Sequence, residues 1–413
     1  MSFETVSVIG LGYIGLPTAA VIASRGINVV GVDVNQNAVD TINAGEIHIV
    51  EPDLDIAVRS TVNIGKLRAT TTPEKADAFM VAVPTPFKGD DHEPDLSYIE
   101  AAAKAIAPVL EKGNLVILES TSPVGATEKL AAWLADARPD LTFPLSEGDN
   151  ADIQVAHCPE RVLPGYVMQE LISNDRVIGG ISAKCSERAK SLYETFVRGE
   201  CIITNARTAE MAKLTENSFR DVNIAFANEL SVICDKLKIN VWELIKLANR
   251  HPRVNILNPG PGVGGHCIAV DPWFIVNSCP EEANLIKQAR LTNDAKPQYV
   301  IDQVVKAADE FKRPVIACLG LAFKADIDDL RESPALQIVH ELEQLDVGQL
   351  ICVEPNIQEL PKSLIEKGTS LTTYEKAIEK ANIIVVLVDH KQFKVADKVE
   401  LVRKVVIDTR GII

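Results

Sequence analysis

The sequence begins with a short aliphatic run that leads directly into a glycine-rich turn. Val6–Ile9 is predicted to be a buried strand, and Gly10, Gly12 and Gly15 follow it in the pattern G-x-G-x-x-G. In such a turn the first glycine permits a tight bend, the second leaves room for a pyrophosphate, and the third lets helix and strand pack closely. Because the following helix would present unpaired N–H groups to an anion, this start predicts a dinucleotide-binding α/β layer.

An acidic residue strengthens this prediction. Asp33 ends the second aliphatic run, 18 residues after Gly15, where a carboxylate can accept hydrogen bonds from an adenosine ribose and repel a 2′-phosphate. NAD is therefore favoured over NADP. The alternative is a tight turn without a cofactor, which the glycine pattern alone does not exclude.

Strands and helices alternate at both ends of the chain. Near the N-terminus we predict strands at Val6–Ile9, Val29–Val32, Phe79–Val83 and Leu115–Leu118, and helices at Pro17–Arg25, Gln36–Asn43 and Ser97–Leu110. A looser copy near the C-terminus has strands at Val315–Leu319, Leu350–Val353, Ile383–Val388 and Val405–Asp408, a helix around Pro334–Glu343, and the acid Glu354 after its second strand. Aliphatic strands of this kind are typical of parallel sheets covered by helices. We therefore expect an α/β protein with two Rossmann-like, doubly wound domains.

The middle of the chain differs from both ends. Thr208–Lys236 carries apolar residues at helical spacing without glycine or proline, which predicts a long, substantially buried helix. The segment Asn258–Gly265 is rich in glycine and proline and predicts a shaped loop. The long helix is expected to join the two halves and to pair subunits in a homodimer, although its apolar surface could also be buried within one chain.

Composition excludes several classes of protein. With 42 Lys and Arg against 57 Asp and Glu, the net charge is −15, which gives no overall attraction for nucleic acid or an anionic membrane. No aliphatic run approaches the ~20 residues of a membrane helix, and we expect no signal peptide. Eight cysteines without a C-x-x-C pair predict a reduced, cytoplasmic protein.

One cysteine differs from the others in its surroundings. Cys267 lies in the segment Gly264–Asp271, where glycines leave backbone N–H groups open to a ligand and to a developing oxyanion. A nucleophilic thiol and a small core residue explain this spacing equally well, and the other seven cysteines are expected in the core. No metal is expected, because the doublets His157–Cys158 and His266–Cys267 lack the spacing of zinc ligands.

Polar residues of the long helix are further candidates for a site. Lys213, Asn217 and Arg220 lie at i, i+4 and i+7 and so share one face. A lysine there could stabilise an alkoxide, and the asparagine could hold a water molecule. The alternative is a solvated stripe in which Glu216 pairs with Arg220.

Polar residues in loops complete the set of candidates. Thr121 and Glu160 follow predicted strands, at the edge where open α/β sheets bind ligands, although loop capping would also explain them. His251 and Arg253 form a polar turn, and the simplest role for such cationic side chains is to cap a helix C-terminus.

These segments recur in one known family. They are Gly10–Pro17, Val83–Pro86, Glu119–Thr121, Pro159–Arg161, the helix with Lys213 and Asn217, Gly264–Cys267 and Gly320–Lys324. Together they resemble the UDP-glucose/GDP-mannose dehydrogenase family of nucleotide-sugar 6-dehydrogenases over essentially the whole chain. The resemblance implies an NAD-binding Rossmann domain at 1–200, a central helical domain with the cysteine loop at 201–305, and a Rossmann-like domain for the UDP-sugar at 306–413.

The resemblance also implies a reaction, the four-electron oxidation of the C6 alcohol of a UDP-sugar to the carboxylate with NAD. Cys267 would carry a thiohemiacetal and then a thioester, Lys213 would stabilise oxyanions, and Glu160 would activate the water that releases the product. The catalytic residues implied are Cys267, Lys213, Glu160, Asn217, Asp271 and Thr121. Without the resemblance, a two-electron hydroxy-acid dehydrogenase or a non-catalytic NAD-binding sensor would also be open, but neither needs this set.

Binding residues follow from the same resemblance. For NAD they are Gly10, Gly12, Tyr13, Ile14, Gly15, Asp33, Thr85, Thr127 and Arg331. For the nucleotide sugar they are Arg161, Val162, Lys213, Asn217, Arg220, His251, Arg253, Gly264, Phe323 and Lys324. Because Gly320-Leu321-Ala322 lacks the glycine pattern, a second dinucleotide is not expected in the C-terminal domain, and the resemblance implies that this domain binds UDP instead.

The segment Asn249–Asn255 narrows the expected sugar. It resembles members of the family that act on UDP-N-acetyl-D-mannosamine and make a uronic acid for bacterial surface polysaccharides such as enterobacterial common antigen. UDP-N-acetylglucosamine and UDP-glucose are alternatives, because the shape of the pocket decides between sugars.

Overall fold

The computed structural model describes residues 3–89, 91–163, 165–265 and 267–413. The chain divides into two compact units, Met1–Glu216 and Asn217–Ile413. The three-domain division expected above stays a prediction, because the long central helix belongs partly to each unit.

The first unit is built on one eight-stranded sheet. Its strands are β1 (Thr5–Ile9), β2 (Asn28–Val32), β3 (Leu67–Thr70), β4 (Ala78–Val81), β7 (Leu115–Leu118), β8 (Gln154–His157), β9 (Arg176–Gly180) and β10 (Cys201–Asn205), and a separate hairpin is formed by β5 (Phe87–Lys88) and β6 (Glu93–Pro94). Its helices are α1 (Gly15–Ser24), α2 (Gln36–Asn43), α3 (Leu54–Asn63), α4 (Ser97–Ile106), α5 (Ala126–Ala137), α6 (Pro144–Glu147), α7 (Val167–Ser173), α8 (Ala183–Tyr193) and the start of α9 (Ala206–Leu237).

The strand order of this sheet is that of a dinucleotide-binding fold with an extension. It runs β10-β9-β8-β7-β4-β1-β2-β3, and every neighbouring pair is parallel except β8 with β9. The six strands from β3 to β8 reproduce the doubly wound order 3-2-1-4-5-6. Helices α1, α3, α7 and α8 cover one face of the sheet and α4 and α5 cover the other, which explains why its strands are aliphatic.

The second unit carries a smaller parallel sheet. Its helices are the end of α9, α10 (Val241–Ala248), α11 (Asp271–Ser278), α12 (Asn284–Ala308), α13 (Pro334–Gln344), α14 (Lys362–Ile365), α15 (Tyr374–Lys380) and α16 (Lys391–Val395). Its strands are β11 (Val315–Leu319), β12 (Gln349–Val353), β13 (Ser370–Leu371), β14 (Ile383–Val386) and β15 (Val405–Asp408), in the order β13-β12-β11-β14-β15. Helices α12 and α13 cover one face and α15 and α16 the other.

Two doubly wound α/β sheets were predicted and are confirmed. The predicted helix Thr208–Lys236 lies within α9, and the segment Asn258–Gly265 contains neither helix nor strand. Six of the seven remaining cysteines are buried, but Cys279 is exposed, so its predicted place in the core is wrong. Cys279 comes directly after α11 ends at the protein surface. Among the described residues, no helix is long and apolar enough to span a bilayer.

Candidate active site

The turn after β1 has the geometry expected of each of its glycines. Gly10 has a φ of 91°, and a Cβ on it would lie 2.6 Å from the carbonyl oxygen of Ala82. A Cβ on Gly15 would lie 1.8 Å from the carbonyl oxygen of Gly10, so only glycine lets α1 pack this closely. A Cβ on Gly12 would have no atom within 4 Å. This stretch of backbone, with Tyr13 beside it, is open to a ligand.

The polar groups around this turn fit a dinucleotide. Helix α1 begins at Gly15 without a side-chain cap, so its first N–H groups can meet a diphosphate. The two carboxylate oxygens of Asp33 accept the N–H groups of Leu11 and Asn35, each at 2.9 Å, which fixes the carboxylate and leaves lone pairs for ribose hydroxyls. The buried Oγ1 of Thr85 has no hydrogen-bond partner among the described residues. Ile14, also predicted to contact NAD, is half-buried in the turn.

Thr127 lies in a different setting, at the start of α5. Its hydroxyl and its N–H both donate to one carboxylate oxygen of Glu210, at 2.6 and 2.8 Å, and the N–H of Gly125 donates to the other at 2.6 Å. Glu210 therefore occupies the helix N-terminus as a bound anion would. Burial raises the pKa of Glu210, although these hydrogen bonds oppose the rise. The contact of Thr127 with NAD stays a prediction.

The predicted base Glu160 lies three residues after β8 and is held in a fixed orientation. One carboxylate oxygen is 2.7 Å from Nη1 of Arg176, and the other accepts the N–H of Arg161 at 2.6 Å. Glu160 and Arg176 are both buried. Thr121 follows β7 and is half-buried. Sequence reasoning gave no role to Arg176, because its partner is 16 residues away.

A second buried carboxyl lies in the same cluster. Glu119 follows β7 directly, and the hydroxyl of Tyr193 donates to its Oε1 at 2.7 Å, while Oε2 has no hydrogen-bond partner among the described residues. Burial, assisted by the charge of Glu160, raises the pKa of Glu119 to about 7, and the Tyr193 hydrogen bond acts against that rise. An acid at the end of an otherwise aliphatic strand is the sequence signal that could have identified it.

The long helix α9 carries several of the predicted residues. Glu216 is paired with Arg161, with contacts of 2.7 Å from Nη2 and 3.2 Å from Nε. Its expected alternative pairing with Arg220 is therefore wrong, because the guanidinium of Arg161 takes both carboxylate oxygens. Arg220 is exposed and Lys213 is half-buried on this helix. Val162 packs against the core of the first sheet.

In the second unit, Cys267 is exposed, so its interpretation as a core cysteine is wrong. Its carbonyl oxygen accepts the N–H groups of Val270 at 3.0 Å and Asp271 at 2.8 Å, in the turn that leads into α11. The side chain of Asp271 is buried and accepts a short hydrogen bond from Nδ2 of Asn217 on α9. Asn217 and Asp271, two of the predicted catalytic residues, are thus in contact, and Asp271 is four residues after Cys267 in the sequence.

The loop before Cys267 is held at two places, by Asn228 of α9 and by the segment that contains Phe323 and Glu332. Nδ2 of Asn228 bonds to Oδ1 of Asn293 at 2.9 Å, and Oδ1 of Asn228 accepts the N–H of Gly260 at 2.9 Å. A Cβ on Gly264 would lie 2.3 Å from the carbonyl oxygen of Glu332 and 3.2 Å from Cβ of Phe323. The predicted substrate residues Gly264 and Phe323 therefore pack on each other.

Other predicted binding residues lie on loops of the second unit. Lys324 is half-buried beside Phe323, and His251 and Arg253 are exposed after α10. Asn249 pins that loop through two hydrogen bonds with Ile256, at 3.0 and 2.7 Å. His266 of the cysteine motif lies outside the described residues.

The remaining cofactor candidate, Arg331, is also in the second unit. It forms a two-point pair with Asp329, with contacts of 2.9 Å from Nε and 2.6 Å from Nη2. In the part of the chain that the structure describes, no group of three or more His, Cys, Asp or Glu side chains could hold a metal ion.

The turn after β11 is closed by protein groups. Oε2 of Glu354 accepts the N–H groups of Leu321 at 2.7 Å and Ala322 at 3.1 Å, and lies 3.0 Å from Nε2 of His390. Both Glu354 and His390 are buried. The carboxylate of Glu354 is therefore inaccessible to a ribose, whereas that of Asp33 is partly exposed.

An open glycine turn with its acid on a doubly wound sheet is typical of an NAD-dependent dehydrogenase. In the second unit, an exposed cysteine precedes by four residues the aspartate of the Asn217–Asp271 contact. Family models match almost the whole chain: the NAD binding domain of the UDP-glucose/GDP-mannose dehydrogenase family at residues 4–197, its central domain at 207–295 and its UDP binding domain at 317–413. The chain belongs to the UDP-glucose/GDP-mannose dehydrogenase family, and the predictions of family and cofactor are confirmed.

Individual relatives agree with this assignment. An NDP-N-acetyl-D-galactosaminuronic acid dehydrogenase of Ralstonia nicotianae is 66% identical over 411 residues, which are 100% of this chain and 96% of that protein. A UDP-N-acetyl-D-mannosamine dehydrogenase of Yersinia pestis is 63% identical over 420 residues, with both chains covered completely. The solved structure of a UDP-D-ManNAc dehydrogenase from Pyrococcus horikoshii has a TM-score of 0.89 at 40% identity, covering 99% of this chain and 96% of that one.

Proposed function

We propose that this protein oxidises the C6 alcohol of UDP-N-acetyl-D-mannosamine to the carboxylate, as a step in making a bacterial surface polysaccharide such as enterobacterial common antigen. The observation that carries the proposal is the exposed Cys267 on its glycine loop, one turn before the Asn217–Asp271 contact. The Yersinia pestis relative is named for this reaction, and the segment Asn249–Asn255 resembles the enzymes that act on this sugar.

Cys267 is the nucleophile in this proposal. NAD, held by the Gly10–Gly15 turn and Asp33, would supply the hydride acceptor for both oxidations. The first oxidation removes a hydride and the hydroxyl proton from C6 and leaves the aldehyde. The thiol adds to the C6 aldehyde, a C–S bond forms, and the thiol proton moves to the carbonyl oxygen, which gives a thiohemiacetal. Loss of the second hydride and of the hydroxyl proton leaves a thioester, and attack by water breaks the C–S bond to release the carboxylate and the thiol. A thiol suits this sequence because it both adds to carbonyls and leaves from acyl groups.

The other residues act on protons and on developing charge. Lys213 stabilises the oxyanion formed at each addition. Glu160 takes a proton from the hydrolytic water, which Thr121, Asn217 and Asp271 hold. Because Nδ2 of Asn217 donates to Asp271, the amide oxygen Oδ1 is the atom with which Asn217 accepts a hydrogen bond from water. Arg161, Val162, Arg220, His251, Arg253, Gly264, Phe323 and Lys324 form the nucleotide-sugar site, and Arg331 contacts NAD.

Replacement of the nucleophile tests this mechanism. The wild-type protein is expected to form two NADH per UDP-N-acetyl-D-mannosamine, and Cys267→Ser to lose about 1,000-fold or more in turnover, because a hydroxyl neither adds nor leaves as readily. The measurement is NADH absorbance together with mass spectrometry of the product. Cys279→Ser, at the other exposed cysteine, is the matched control and should keep the wild-type rate. A Cys267→Ser protein that still gives two NADH per sugar at the wild-type rate would disprove the covalent route.

A second sugar is favoured by one observation. The Ralstonia nicotianae relative is named for N-acetyl-D-galactosaminuronic acid, so UDP-N-acetyl-D-galactosamine is the second candidate. Measuring kcat/KM for UDP-N-acetyl-D-mannosamine, UDP-N-acetyl-D-galactosamine, UDP-N-acetylglucosamine and UDP-glucose distinguishes the candidates. The preferred substrate is the one with the highest kcat/KM. One NADH per sugar would instead indicate a two-electron dehydrogenase. If none of the four nucleotide sugars is turned over, the protein would be a binding protein and not an enzyme for these sugars.

We also propose a cytoplasmic homodimer that pairs through α9. Phe219, Phe226 and Ile233 repeat every seven residues along this helix and are 68%, 52% and 44% exposed, so they form an apolar stripe that a second copy could cover with the same stripe. Phe226→Glu is expected to give a monomer in light scattering after size exclusion. The control is Ile56→Glu, at an exposed apolar residue outside the stripe. A Phe226→Glu protein of unchanged mass would contradict the proposal.

A further inference from the structure

Glu119, the residue directly after strand β7, carries a carboxyl group that has no role in the reaction proposed above. Glu119 is 2% exposed, and only one of its two oxygens, Oε1, is hydrogen-bonded, by Tyr193. The other oxygen, Oε2, has no partner among the described residues. A buried carboxylate oxygen without a hydrogen bond is costly, so the site favours a protonated Glu119.

The same cluster contains a donor without an acceptor. Nη1 of Arg176 donates to Glu160 at 2.7 Å, and Nη2 donates to the carbonyl oxygen of Leu171 at 2.9 Å. Its Nε has no hydrogen-bond partner among the described residues. Its guanidinium carbon lies 6.0 Å from the centre of the Tyr193 ring. Arg176 is therefore hydrogen-bonded to one of the two glutamates, Glu160, whereas on Glu119 it acts through its charge.

The charged and titratable groups around Glu119 come from β8 and the residues after it, from β9 and from α8, whereas the neighbouring strand β4 is entirely apolar. They are Cys158 and Glu160 after β8, His157 at the end of β8, Arg176 at the start of β9 and Tyr193 at the end of α8. Burial raises the pKa of Cys158 and of Tyr193 and lowers that of His157 to about 3, so these three remain neutral near pH 7. The charge of the cluster near neutral pH is therefore set by Arg176, Glu160 and Glu119.

We propose that Glu119 is a positioning residue for Glu160: when Glu119 loses its proton, it competes for Arg176 and leaves Glu160 less neutralised and more able to take a proton from the hydrolytic water. The cluster holds an unused donor and an unused acceptor for this exchange, because neither Nε of Arg176 nor Oε2 of Glu119 has a hydrogen-bond partner among the described residues. The inference rests on the role of Glu160 proposed above.

The direction of the effect follows from the charges. With Glu119 protonated, Arg176 neutralises Glu160 alone, and the carboxylate is a poor proton acceptor. With Glu119 ionised, the positive charge is shared between two carboxylates. Since the pKa of Glu119 is raised to about 7 by burial and by the charge of Glu160, hydrolysis of the Cys267 thioester should accelerate as pH rises through that value.

The experiment measures thioester hydrolysis directly. The full-length protein is mixed with NAD and UDP-N-acetyl-D-mannosamine and quenched between pH 6 and 9, and the acyl adduct on Cys267 is followed by intact mass. Wild-type decay is expected to show an inflection near pH 7. Glu119→Gln, of the same shape and permanently neutral, should lose the inflection and decay about ten-fold more slowly at pH 8. Tyr193→Phe removes a bond that favours ionised Glu119, so the inflection should move to higher pH.

Controls separate this inference from the function on which it rests. Glu51→Gln removes another buried carboxylate of the first unit and should keep the inflection near pH 7. Glu160→Gln should accumulate the thioester at every pH, and wild-type hydrolysis in that variant would refute the proposed role of Glu160 itself. If Glu160→Gln blocks hydrolysis but Glu119→Gln keeps the wild-type pH profile, only the present inference is wrong. Should Glu119→Gln fail to fold, the direction of the Tyr193→Phe shift decides, and an unshifted inflection overturns the inference.

Discussion

Two glycine turns, one after β1 and one after β11, have almost the same backbone. Gly10 has a φ of 91° and Gly320 a φ of 92°. The N–H of each donates to the last residue of the neighbouring strand, to Val32 and Val353, at 2.8 Å in both units. The two units thus share the same strand and turn geometry. Any difference in what the two turns bind must come from the side chains around them.

The acids that face these turns explain the difference. Asp33 is half-buried, and each of its oxygens accepts one backbone N–H. Glu354 is longer by one methylene and reaches two N–H groups of its turn with one oxygen, which His390 also approaches. Ala322 stands where the first turn has Gly12. The first turn leaves hydrogen-bonding capacity for a dinucleotide, whereas in the second the protein has used that capacity itself.

His390 completes the closed turn with hydrogen bonds at both of its ring nitrogens. Its Nδ1 accepts the N–H of Asp326 at 2.9 Å, and its Nε2 donates to Glu354 at 3.0 Å. Burial disfavours the charged form of Glu354, but the hydrogen bonds from His390 and Leu321 outweigh it and hold the pKa of this carboxyl below its ordinary value. The closed turn therefore depends on an ionised acid.

The largest expected effect separates packing from ligand access in the first turn. Gly15→Ala places a Cβ 1.8 Å from the carbonyl oxygen of Gly10 and should lower the free energy of unfolding by more than about 3 kcal/mol. Gly12→Ala, the matched control, meets nothing within 4 Å and should keep its stability while losing affinity for NAD, since it makes the turn resemble that with Ala322. Urea unfolding and NAD titration measure the two effects. Equal stabilities would contradict the packing role of Gly15.

Much of this contrast can be read from the sequence, because it is local. Aliphatic runs such as Val315–Leu319 predict strands, and the glycine spacing around Gly10 predicts the turn and its ligand. The absence of that spacing after Gly320 predicts a turn with a different role. Each inference uses residues within about 20 positions of one another, where strand, turn and acid are fixed by short stretches of chain.

Long-range contacts account for what could not be predicted. The hydroxyl of Tyr193 meets Glu119 across 74 residues, and no periodic pattern joins them. Pro297 lies inside α12, although a proline in the sequence normally predicts the end of a helix. Its ring packs against Gly262, on which a Cβ would be only 3.1 Å away. Tertiary packing of this kind decides which polar groups are buried together, and it is invisible in a single sequence.

An intermediate effect contrasts the buried acids of the two units. The folded-state pKa of Glu119 is about 7, raised from 4.5 by burial and by Glu160, so its contribution to stability is full below about 4.5 and is lost as pH rises through 7, about 3 kcal/mol in all. Glu354 has a lowered pKa, so its contribution is present above about 4.5 and is lost as pH falls through the folded-state value.

Urea unfolding between pH 3 and 8 checks both signs. Glu119→Gln should remove the fall in stability between pH 4.5 and 7, and Glu354→Gln should reduce the loss below pH 4.5. Leu336→Ala, at a half-buried residue of the second unit without a titratable side chain, is the control for a local packing change and should alter neither slope. The same pH dependence in both glutamine variants would show that the two acids do not differ as described.

The smallest expected effect tests whether the open turn selects its cofactor by charge. Asp33→Asn keeps one oxygen that can accept the N–H of Leu11 at the observed 2.9 Å and loses only the acceptor of the exposed Asn35 N–H, so the fold should be retained. It loses the negative charge that strengthens hydrogen bonds from ribose hydroxyls and repels a 2′-phosphate, so affinity for NAD should fall about ten-fold while that for NADP rises. The measurement is the ratio of Kd values for NAD and NADP. Glu354→Gln should leave this ratio unchanged, because the lone pairs of Glu354 are used within the protein, and an effect of equal size in both variants would mean that the second turn is open as well.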